Sequence, residues 1–176
     1  MAFLNHKVTG EITKELLAAG DGVELSSISL CNVRNTHTAI VDLYIQRKLP
    51  AGKTTDASYG EFYIFKNTII PAGVTLTHNF SFDNNKFGLF VKLTKTDTVT
   101  LTGSIDPAAS TSVTGVGTAF LTEVGVGDEL VVSGETRIVT AITSNTALTV
   151  GSAFSNNSND TSPDINPVAA VDIVIT

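Results

Sequence analysis

Tryptophan is missing from this chain, and in 176 residues cysteine and methionine occur once each and histidine three times. Each scarcity closes a class of function. A lone Cys31 cannot form an intrachain disulfide, so the fold must stand on packing, and a Cys-rich zinc framework cannot be assembled. Cys31 sits in Ser29-Leu30-Cys31-Asn32-Val33 with no base beside it, which predicts a buried small residue rather than a nucleophile. His6, His37 and His78 stand far apart with no carboxylate at metal-ligand spacing, so no metal site is legible. Charged residues make up only 16%, and no apolar run approaches the ~20 residues of a membrane span, so membrane insertion is not expected. The first residues show no basic region followed by an apolar run, and no secretion signal is read. Without one, the glycosylation-like tripeptides starting at Asn79, Asn156 and Asn159 count as chance.

The remaining chemistry is equally thin. Asp128-Glu129 reads as the polar corner of a turn after Gly127. Gly115-Val116-Gly117 precedes neither a helix nor a Lys-Ser/Thr pair, which excludes a phosphate loop. Ser104, Ser110 and Ser133 lack a nucleophile-elbow context. No catalytic, cofactor-binding or metal residue is assigned, and the expectation is a protein that is not an enzyme and carries no cofactor.

What is present is β-forming. Hydrophobic residues make up 42%, Thr, Val, Ile, Ser and Gly dominate, and period-two alternation recurs along the chain. Met1 to Lys14 reads as an arm or short edge strand. Helix formers cluster once, at Glu15 to Ala19, and predict one helical turn before Gly20-Asp21-Gly22. Val23 to Val33 and His37 to Lys48 are expected to form a hairpin turning at Asn35. Leu49 to Gly60 is a polar loop and a candidate contact site, with Tyr59 the tyrosine best placed for it. Glu61 to Ile70 is apolar on both faces, which predicts a central strand or one face against another subunit. Pro71 and Gly73 make the next turn, His78 to Phe82 continues the return strand, Asp83 to Lys86 turns again, and Phe87 to Thr100 follows. The last strand, Ala169 to Thr176, alternates Val171, Ile173 and Ile175 with Asp172, Val174 and Thr176. It matches Gly88 to Thr100 best in composition and is assigned as its partner.

Two stretches of small and polar residues, Gly103 to Ser110 and Ser155 to Asp164, read as linkers bracketing an insert. Between them lie short strands at Ser112 to Gly115, Glu129 to Ser133, Thr136 to Thr143 and Ala147 to Val150. Val131, Ile138, Val139, Ile142, Leu148 and Val150 are expected to point inward and close a small barrel. The predicted fold is all-β: an antiparallel, jelly-roll-like β-sandwich formed by residues 1–102 plus 166–176, with an inserted small acidic β-barrel at 103–165. From Leu101 to Ile165 seven acids face Arg137 alone, so the insert carries the whole formal charge of −6. That excess reads as a solvated outer face, and it repels phosphate, so nucleic acid is not an expected partner.

The insert resembles a small β module of tailed-phage tail-fibre and virion proteins. The resemblance rests on Val113-Thr114-Gly115-Val116-Gly117-Thr118-Ala119-Phe120, on Val126-Gly127-Asp128-Glu129-Leu130, and on Ile138 to Val150. The flanking part is similar to small virion accessory proteins of tailed phages, through Ile28-Ser29-Leu30-Cys31-Asn32, Ile69 to Leu76 and Val171 to Ile175. It departs from their commonest form because the insert separates the last two strands. The resemblance implies a structural component of the virion, repeated around a symmetry axis on the tail, neck or capsid surface. Its partners would be copies of itself and other virion proteins. A carbohydrate-binding module that grips a host-surface glycan is the alternative. Against it stands the shortage of stacking platforms, with tyrosine confined to Tyr44, Tyr59 and Tyr63.

Overall fold

The computed structural model describes residues 4–48, 60–94 and 96–176. The protein is all-β. In chain order the strands are β1 (Leu4–Thr9), β2 (Thr13–Leu17), β3 (Ser27–Asn32), β4 (Ala39–Arg47), β5 (Glu61–Ile70), β6 (Thr75–Asn79), β7 (Phe87–Thr94), β8 (Val99–Thr100), β9 (Ser104–Ile105) and β10 (Ser112–Val116). The four-residue helix α1 (Phe120–Glu123) is followed by β11 (Glu129–Val132), β12 (Glu135–Ser144), β13 (Ala147–Val150), β14 (Asp164–Asn166) and β15 (Ala170–Ile175). The chain divides into two compact units, one of Met1–Arg34, Thr38–Lys95 and Ala169–Thr176, the other of Asn35–His37 and Thr96–Val168.

The first unit packs two four-stranded antiparallel sheets over one core, as in a β-sandwich. One sheet is ordered β1-β15-β3-β6 and the other β2-β7-β4-β5. Alternation decides which side chains are buried: in β3, Ile28 and Leu30 are fully buried between half-exposed Ser27, Ser29 and Cys31. Val171, Ile173 and Ile175 of β15 do the same, with Ile173 opposite Leu30 on one side and His6 on the other. From the second sheet come Val41, Leu43, Leu89, Val91 and Leu93. Each buried Leu or Ile contributes about 1.5–3 kcal/mol, and this sum holds the unit together.

Several sequence expectations fail here for identifiable reasons. Glu15 to Leu17 is strand and not a helical turn, because Leu16 and Leu17 are both drawn into the core, which a β-bulge between Glu15 and Leu17 permits. Tertiary packing overrides helix propensity there. The expected hairpin at Asn35 does not form, since β3 and β4 belong to different sheets. Buried Asn32 ends β3: its side chain donates to the Ile70 carbonyl (3.0 Å) and accepts from the Arg34 amide (3.0 Å), an Asx-type turn that sends the chain elsewhere. The C-terminal strand pairs with β1 and β3, not with β7, whose two sides are taken by β2 and β4. The chain ends do meet in one sheet, but matching composition chose the wrong neighbour. Of the two alternatives for Glu61 to Ile70, the central strand is not found, since among the described residues it lies at the edge of its sheet. The turn at Pro71 closes with the Val74 amide on the Pro71 carbonyl (3.1 Å) and Gly73 at φ +69, and it carries the chain from one sheet to the other.

The second unit is one seven-stranded sheet, ordered β8-β14-β11-β12-β13-β10-β9. It wraps a core of Phe120, Ile105, Leu130, Val132, Leu148 and Ile165 with their neighbours. In β11 the buried residues are Leu130 and Val132, so Val131 takes the opposite phase from the one expected, and Ile138 is 57% exposed. The two stretches read as linkers are built into the unit. Ile105 and Asp160 exchange backbone hydrogen bonds (2.8 Å each way), and Ile105 and Ile165 are wholly buried. The run from Val99 to Ile105 supplies both ends of the sheet, β8 against β14 and β9 against β10.

Candidate functional site: the outer face of the second sandwich sheet

On the side of β2-β7-β4-β5 away from the core, the strand registers align one row of side chains. Glu15 lies opposite Phe90, Phe90 opposite Tyr44, and Tyr44 opposite Tyr63. Directly opposed residues on one face are in contact range, so the aromatic rings meet. Tyr44 stacks on Phe90 with centroids 5.5 Å apart and planes 11° from parallel, and it lies 5.5 Å from Tyr63 at 49°. None of the three joins the cluster between the two sheets, although Tyr44 is itself buried.

Charge surrounds the row. The Tyr63 hydroxyl donates to the Glu61 carboxylate, and that bond, ahead of desolvation, pushes the phenol up to about 12. Burial first, then the negative charge of Glu61 and Asp42, raises the Tyr44 phenol as well. The Lys66 ammonium stands 4.4 Å from the Tyr63 ring centroid. Buried Asp42 accepts the Asn67 amide at 2.6 Å, and Asn67 has φ 50, so this carboxylate holds a residue that has left extended geometry where β5 bulges.

Beside the row is a depression of about 250 Å³ whose lining includes Glu15, Gln46, Lys48, Gly88 and Phe90. The Phe90 ring and the Glu15 carboxylate close down over buried Gly88, which has no side chain to hold them off. A Cβ there would stand 3.0 Å from the Leu17 carbonyl oxygen, 3.0 Å from the Phe90 ring and 3.2 Å from the Glu15 carboxylate. Gln46 is the residue opposite Gly88 on β4. An aromatic face edged by a carboxylate, an amide, the Lys48 ammonium and the Arg47 guanidinium can stack a flat ligand and hydrogen-bond its hydroxyls. Glu15 is the single carboxylate among the described lining residues.

The residues singled out in the sequence are dispersed. Cys31 is half-exposed in β3 rather than buried. His6 is in β1, where burial first and Lys14 second hold it below its ordinary value, and His78 in β6 lies between the Phe65 and Phe80 rings, at 5.0 and 5.7 Å. The Gly115 amide is spent on the Thr146 carbonyl (2.9 Å), and Ser133, at φ 50, donates its hydroxyl to the Ser158 carbonyl (2.8 Å). Ser104 is in β9, and the Ser110 hydroxyl accepts the Ser112 amide at 3.1 Å. Asp128 does close a turn, accepting the Gly125 amide at 2.7 Å. It is also wholly buried, takes the Val168 amide at 3.0 Å, and lies 3.3 Å from His37 Nε2. Tyr59 and most of its loop fall outside the described residues.

Comparison with family models, curated proteins and solved structures yields no match. Sequence reasoning missed this face because cross-strand registers are not local. One signal was readable: a glycine inside a strand, which Gly88 is, marks close approach of a neighbour.

Proposed function

We propose that this is a non-catalytic structural protein of a tailed-phage virion, repeated in a symmetric assembly on the tail, neck or capsid surface. In this reading the sandwich unit docks on the particle and on neighbouring copies, and the acidic unit, a small barrel closed through the run Val99 to Ile105, is displayed to solvent. The virion setting follows from the sequence resemblance. The observation that supports assembly is β5. Among the described residues this ten-residue strand pairs only with β4, and along it Phe62 is 51% and Ile69 62% exposed. An apolar, unpaired strand edge is a surface that soluble chains usually cover. Two bulges interrupt its ladder with β4. A bulged edge is a poor template for endless strand addition and suits a closed ring better than a fibre.

Sedimentation velocity tests this. The purified chain is expected to form a discrete oligomer at ~0.1 mM, well above a micromolar dissociation constant. Phe62→Lys with Ile69→Lys is expected to return it to a monomer with unchanged β content by circular dichroism. A monomer at that concentration, or an oligomer indifferent to both substitutions, would overturn the reading.

A further inference from the structure

We infer that the depression beside Phe90 is a subsite for one pyranose ring of a glycan. This goes beyond the assembly reading and does not depend on it. Three observations converge. The first is size: about 250 Å³ is below the ~300–1,000 Å³ of pockets for drug-sized ligands and leaves room for a single ring. The second is the wall. Phe90 is backed by Tyr44 in a parallel stack and held opposite Tyr44 by the β4-β7 ladder, so its ring is a fixed apolar plate. The C–H groups on one face of a pyranose carry the slight positive charge that such a ring face attracts. The third is the rim. The Glu15 carboxylate reaches to 3.2 Å from where a Gly88 Cβ would be, and Gln46 lies across the ladder from Gly88. A carboxylate and an amide together accept from and donate to adjacent hydroxyls.

The same lining argues for binding without hydrolysis, since glycoside cleavage ordinarily needs two carboxyl groups across the bond and Glu15 is the one carboxylate among the described lining residues. One ring in a shallow site binds weakly, on the order of millimolar. Repetition of the subsite around an assembly would raise avidity without any new contact.

Saturation-transfer NMR on the full chain tests the subsite. The probes are methyl glucoside, galactoside, mannoside and N-acetylglucosaminide, each at about 10 mM, with acyclic sorbitol as control. The expected result is transfer to the ring protons of at least one glycoside and none to sorbitol. Phe90→Leu, which keeps an apolar side chain but removes the plate, should weaken that glycoside at least about tenfold. Gly88→Ala should abolish the signal, and Tyr63→Ala, at the far end of the row, should leave it. If Gly88→Ala does not fold, Glu15→Gln decides by the same tenfold criterion. No transfer to any glycoside, equal transfer to sorbitol, or Phe90→Leu behaving as the parent would overturn the inference. Because the readout is ligand protons and not particle size, its failure is distinguishable from failure of the assembly reading.

Discussion

The two units solve the same problem, closing β-sheet from a composition poor in charge and aromatic rings, by different means. The sandwich unit joins apolar faces of two sheets, and its core draws on Val8 near one end of the chain and Ile175 near the other. The second unit has a smaller core and pins its loops with carboxylates that accept backbone amides. Glu123 takes the Thr102 amide at 3.0 Å, and Asp128 takes those of Gly125 and Val168. Glu135 takes those of Ser155 and Asn156, and Asp160 takes those of Ser133 and Ser162. Charge-assisted bonds of this kind are about twice as strong as neutral ones. The acidic excess that reads as a solvated face is therefore, in large part, the fastening of the unit's own loops. Excess charge can be structural when the loops it serves carry many unpaired amides.

That contrast predicts where each unit breaks. The largest effect is expected from Ile173→Ala, which should cost about 2–5 kcal/mol in the sandwich, since Ile173 is 1% exposed between two paired strands. All three tyrosines belong to that unit, so tyrosine fluorescence during urea unfolding reads it selectively. Asp128→Ala comes next, at roughly 3 kcal/mol, because it strands two half-buried amides and removes the partner of His37. Its loss should appear in amide hydrogen exchange of β11 and β12 with little change in the tyrosine transition; a shift confined to the tyrosines would erase the distinction between the units.

Acid sharpens the comparison further. The Ser155 amide first, with the Asn156 amide and Arg137 adding to it against the opposing effect of burial, holds the Glu135 carboxyl below its ordinary value near 4.5. A depressed folded value means that its stabilisation is present above pH ~4.5 and is lost as pH falls through the lowered value. Glu135→Gln is expected to flatten that acid limb for the second unit, and equal acid sensitivity in parent and variant would count against the fastening role. The smallest effect belongs to Cys31→Ser, expected within ~0.5 kcal/mol because Cys31 is half-exposed on the outward side of β3.

The all-β class was legible because alternation is local: Ile28/Leu30 and Val171/Ile173/Ile175 announce their buried faces in a handful of residues. Partners were not, because pairing is decided by which edges other strands leave open. β15 went to β1 and β3 once β7 was enclosed by β2 and β4. The shift of phase in β11 shows the cost of ambiguity, since Leu130-Val131-Val132 offers apolar residues on both faces, and Ile138-Val139 in β12 does the same. For the candidate face, Gly88 was visible as a strand glycine, but the Glu15-Phe90-Tyr44-Tyr63 row required three registers that no short window contains. The Asp128–His37 pair was invisible for the same reason, its members lying ninety-one positions apart.

The place of β15 between β1 and β3 has a consequence for biosynthesis. A ribosome delivers β1, β3 and the whole second unit before the residues that fill the gap in that sheet emerge. Until then the nascent chain carries two unsatisfied strand flanks, and translation that stops before Ala170 leaves them so permanently. The sandwich therefore closes only after the second unit has been synthesised, so the first unit to begin is the last to fold.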